Sequence, residues 1–76
     1  MTQQLISKDL ESATIQAWNF GSEYGITCHC LEREAQEADA LKECGFLLER
    51  FNTEQREEIL ACFWEGYAFA EARLND

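Results

Sequence analysis

The chain has no Pro and no Val, a single His, and only 6 Lys and Arg against 15 Asp and Glu in its 76 residues. Without Val, and with only four Ile and four Thr, it is poor material for strands. The shortage of basic residues leaves a net charge of −9. A nucleic-acid-binding surface needs positive charge to displace counterions, and an anionic membrane attracts the same charge. Direct nucleic-acid binding and membrane docking are therefore not expected. No run approaches the ~18 apolar residues of a membrane span. Met1 to Asp9 shows no basic flank and no apolar core of a secretory signal, so a reducing cytoplasm is the expected setting. No P-loop, GxGxxG or HExxH pattern occurs, and no enzyme is expected.

What remains is helical and apolar enough to fold. Ala and Leu together supply seventeen residues and Glu twelve more, all strong helix formers. The length allows one domain. The expectation is an all-α fold, a small three-helix bundle or a helical hairpin, as a single domain over 1–76. Helices are placed at about 8–24, 31–51 and 54–74.

Ser7 is the candidate cap of the first helix. Leu10, Ala13, Ala17, Gly21 and Tyr24 follow as an apolar stripe. Gly25 suits a left-handed helix end, and Ile26 to Cys30 have poor helix propensity, which places the turn there; a kinked continuous helix is the alternative. The second helix carries an inner stripe of Ala38, Leu41, Cys44, Leu48 and Phe51. Glu37 points toward that stripe, either as an end projecting past the core or as an acid with a buried partner. Asn52 and Gln55 have capping-box spacing, with Thr53 an alternative cap. Ile59, Leu60, Phe63, Tyr67, Ala70 and Leu74 form the third stripe.

Ala13, Ala17, Gly21 and Gly25 stack at four-residue steps, as do Cys62, Gly66 and Ala70. Such a seam lets another helix backbone approach closely, within the chain or in a homodimer. Ala17 to Gly25 also echoes Cys62 to Ala70: in each a large aromatic precedes a Gly by three. Nine aromatics are many for so small an interior, and Phe46, Trp64 and Phe69 are the candidate partner anchors. Glu32, Asp39 and Glu43 are the candidate acids for a basic groove on a protein partner, with DNA mimicry as a variant of that idea. A homo-oligomer is expected on the same grounds. No cofactor or metal is expected; the alternative is a metal site using Cys28, Cys30, Cys44 and Cys62, with His29. Cys28 or Cys30 beside His29 is the only candidate thiol nucleophile.

In size, charge and helicity the chain resembles the short acidic helical proteins of bacteriophages and prophages that bind and disable host proteins. That resemblance implies an inhibitor or adaptor and carries no residue roles.

Overall fold

The structure, a computed structural model, describes residues 2–75, with side chains described for residues 9–75. Among the described residues three helices follow in order: α1 over Thr2–Leu31, α2 over Glu37–Leu48 and α3 over Thr53–Leu74. Ser7 lies inside α1 rather than at its cap; its side chain falls outside the described residues. At about 1.5 Å per residue a 30-residue helix is ~45 Å long. That matches the longest dimension of the molecule, 45 × 23 × 15 Å.

The expected turn at Ile26 to Cys30 is absent, and α1 runs through it to Leu31. Packing overrides propensity here, because Cys28 and Gly25 are buried and melting this turn would expose them. The helix ends instead at Glu32, a non-glycine residue with φ 54°. Its N–H donates to the His29 carbonyl at 3.3 Å, and the Arg33 N–H to the Cys28 carbonyl at 2.9 Å. This is the Schellman arrangement, with Glu where Gly is usual.

α2 is shorter than expected and begins at Glu37. Its cap residue, Gln36, makes no side-chain capping bond. Tyr24 holds this end instead. The Gln36 N–H donates to Tyr24 Oη at 2.9 Å, and Tyr24 Oη donates to Asp39 Oδ2 at 2.7 Å. α2 turns Ala40, Cys44, Leu47 and Leu48 inward. Ala38 and Leu41, assigned to the inner stripe from sequence, are exposed. At its other end, Arg56 Nε donates to the carbonyls of Leu48 at 2.9 Å and Phe51 at 2.8 Å. The Leu48 carbonyl, at the end of α2, also accepts from the Phe51 N–H at 3.1 Å, so Arg56 ties together both carbonyls of the connection between α2 and α3. α3 then opens on the expected Asn52–Gln55 capping box.

Most interhelical contact joins α1 to α3. Tyr24 meets the start of α2, whereas an exposed Arg50–Asp9 pair at 3.2 Å joins the far ends; α2 therefore runs antiparallel to α1. α3 returns parallel to α1 along the small-residue seam. A Cβ built on Gly21 would lie 1.7 Å from the Phe63 carbonyl oxygen, and one on Gly66 would lie 2.0 Å from that of Trp18. The contact is reciprocal: each glycine rests on the carbonyl of the aromatic that precedes the other glycine by three. Gly25 meets Ala70 in the same seam. The Trp18–Phe69 rings (5.1 Å) correspond to the Phe63–Tyr24 rings (5.5 Å). The echo between residues 17–25 and 62–70 is thus an approximate twofold relation between two parallel helices. The seam is filled by the chain's own backbone, which leaves no room there for a second copy.

Ile59, Phe63 and Cys44 are fully buried at the centre. Each large apolar side chain sealed there stabilises the fold by about 1.5–3 kcal/mol.

Candidate protein-binding surfaces

Three helices leave three grooves, and the three aromatics expected to act together fall one to each. Phe46 stands 60% exposed on α2, its ring 5.8 Å from that of Phe20 across the α1/α2 edge. Phe69, 47% exposed, lies on Trp18 at the α1/α3 edge away from α2. Trp64 lines the groove between α2 and α3. No single surface contains all three.

The α1/α2 groove, about 490 Å³, is mostly charged. Glu23, Arg33, Asp39, Lys42 and Glu43 line it around Phe20, Tyr24 and Thr27. Of the acids expected to meet a partner, Glu43 lies here and is exposed. Asp39 is engaged inside the chain, by Tyr24 and by Arg33 at 3.5 Å. Glu32 forms the turn after α1. The Tyr24 hydroxyl is pushed up to about 12, first by burial and then by its bond to Asp39. It stays protonated at neutral pH and serves as a structural donor.

The α2/α3 groove is an open trough of about 270 Å³. Ala40, Leu41, Leu60, Ala61 and Trp64 form its apolar walls, and both charged side chains that line it, Glu37 and Glu57, are carboxylates. Glu37, ambiguous from sequence, is exposed on the rim. Leu41 is 52% exposed at the lip. The Trp64 ring meets Phe63 edge-on at 5.1 Å and Tyr67 at 5.5 Å. An indole fixed this way loses little further freedom on contact, the property of a good anchor. Sequence reasoning named Trp64 as a candidate anchor but did not place Glu37 or Glu57 beside it. Their juxtaposition depends on the register of α2 against α3, which no local pattern encodes.

The four thiols are free and dispersed. Cys28 and Cys30 lie on a regular helix, one buried and one exposed, so they do not converge. Among the described residues no three His, Cys, Asp or Glu side chains are grouped to hold a metal ion. Burial pushes the Cys44 thiol up to about 11, with a further push from Glu43. Burial raises Cys62 as well, helped by Glu65 and Glu58. Both sit as neutral thiols, the unreactive form.

No helix among the described residues is long and apolar enough to cross a membrane. Comparison with protein-family profiles, curated proteins and solved structures finds no match to this chain.

Proposed function

We propose that this chain is a small acidic, non-catalytic protein-binding module, an adaptor or inhibitor, whose α2/α3 trough takes an amphipathic helix of a partner protein. The trough itself carries the reading: a fixed Trp64 and an exposed Leu41 over an apolar floor, with carboxylates at Glu37 and Glu57. Such a groove suits a helix with apolar residues one turn apart and Lys or Arg beside them. The 12 residues of α2 give a groove ~18 Å long, about three turns of a bound helix. The net charge of −9 favours encounter with a basic partner, chiefly through the association rate. Four free thiols suit a reducing compartment, and the cytoplasm is the location that goes with this reading.

Two matched synthetic helical peptides test it, with one apolar stripe and either Lys or Glu flanks. In a W18F background the fluorescence reports Trp64 alone. The Lys-flanked peptide is expected to bind saturably and more weakly as salt rises. L41Q should weaken it by about tenfold or more, ~1.4 kcal/mol, and E37Q/E57Q should flatten the salt dependence. Equal binding of the Glu-flanked peptide, or indifference to L41Q, refutes the reading.

A further inference from the structure

The three helices are not equally held. α1 and α3 meet backbone to backbone, Gly21 resting on the Phe63 carbonyl and Gly66 on that of Trp18. They have 30 and 22 residues, longer than the ~12–15 at which an isolated helix is marginal. Each also closes a terminus without help from α2: α1 ends on the Glu32 turn, and α3 begins on the Asn52–Gln55 capping box.

α2 is different. It has 12 residues and makes far less contact with its neighbours than they make with each other. Only Ala40, Cys44, Leu47 and Leu48 are buried, and the first two are small. Ala38, Leu41 and Phe46, on the same helix, face solvent. Its ends are held by polar ties from outside: Tyr24 Oη to Gln36 and Asp39 at one end, and Arg56 to the Leu48 carbonyl at the other. Its two ion pairs, Arg33–Asp39 and that of the following Arg50 with Asp9, are largely exposed and add little. Non-helical residues 32–36 and 49–52 flank it and can absorb a rotation.

We propose that α2 opens as a unit while α1 and α3 stay joined, with the Tyr24 hydroxyl as its latch. The closed form is the major one, because opening uncovers the buried Tyr24 and Cys44 and the apolar face beneath them. α2 supplies Asp39, Lys42 and Glu43 to one groove and Glu37, Ala40 and Leu41 to the other. One motion therefore dismantles both grooves together, and a ligand held between α2 and either neighbour selects the closed form. The opening is a property of the bundle and does not rest on the trough reading above.

Cys44 is the built-in reporter. It is fully buried on α2, and burial holds it as a neutral thiol, pushed up to about 11, so it reacts only when uncovered. The full chain is alkylated with iodoacetamide across a sub-denaturing urea series, and each thiol is read by peptide mass spectrometry. Exposed Cys30 gives the unhindered rate, and circular dichroism gives global unfolding. Cys44 is expected to react at least about tenfold faster than global unfolding permits. Its urea slope should be roughly a quarter to a half of the global one, since the slope scales with the surface exposed. Y24F should speed the reaction about fivefold or more and leave that slope unchanged. Labelling that follows global unfolding in both rate and slope overturns the proposal, because α2 then unfolds only with the rest. So does a slope near zero, which marks a local fluctuation around the thiol, or indifference to Y24F.

Discussion

Adding one methyl group at Gly21 makes the tightest clash of any glycine in this fold. The added Cβ would lie 1.7 Å from the Phe63 carbonyl oxygen. Ordinary heavy-atom contact is about 3.5 Å, so α1 and α3 must part locally by ~1.5–2 Å. Neither side can yield by rotating a side chain, because the obstacle is helix backbone. A gap of even 0.5–1 Å forfeits roughly a quarter to a half of a contact's attraction, and α1/α3 is the principal interface. Overpacking typically costs ~1–3 kcal/mol, and an immovable backbone puts this case at or above ~3 kcal/mol. Better helix propensity returns about 1 kcal/mol. The net loss of ~2 kcal/mol or more is a large part of the roughly 4–11 kcal/mol available to a chain of this length. Gly45 is the internal control: it is also helical, and a Cβ there meets nothing within 4 Å. G45A should gain up to about 1 kcal/mol. Thermal melts followed by circular dichroism should lower Tm by about 8 °C or more for G21A and raise it by a few degrees for G45A. A G21A protein that melts at or above the wild-type temperature refutes the parallel, glycine-mediated packing.

Two further changes probe the α1–α2 connection. Glu32 holds φ 54°, costly for a side chain and free for Gly, and its charge opposes the α1 C-terminal dipole. E32G is expected to stabilise by about 0.5–1 kcal/mol net of its unfolded-state entropy, and an unchanged or lower denaturant midpoint counts against the turn described. Y24F should cost about 1–2 kcal/mol by leaving the Gln36 N–H without its acceptor. The hydroxyl also titrates: its folded value is raised from 10 to about 12, so its contribution is complete below pH 10 and is lost as pH rises toward 12. Denaturation measured across that window should fall more steeply for wild type than for Y24F, and parallel curves would remove the hydroxyl from the hub.

Legibility followed how local each signal is. The capping box at Asn52 depends on four neighbouring residues, and the boundary there is where the sequence places it. The α1 stripe from Leu10 to Tyr24 is equally local. The break after Leu31 is not, since Glu32 to Gln36 are mostly good helix formers, and Tyr24, far away in sequence, organises the start of α2. Placing α2 too early also drew its stripe through Ala38 and Leu41 rather than Ala40 and Leu47. That misplacement hid Leu41 as a surface residue. The heavy aromatic load was legible; its division among three edges required knowing which helices are neighbours.

The principal interface joins the first helix to the last. During synthesis Gly21 emerges well before Gly66, so the seam of α1 has nothing to close on until α3 has been made. Contacts so distant in sequence form slowly, and an uncovered helix face in the meantime invites aggregation or holding by a chaperone. A ribosome that stalls within α3 would release a polypeptide unable to complete its fold, and cellular proteases should clear it rapidly.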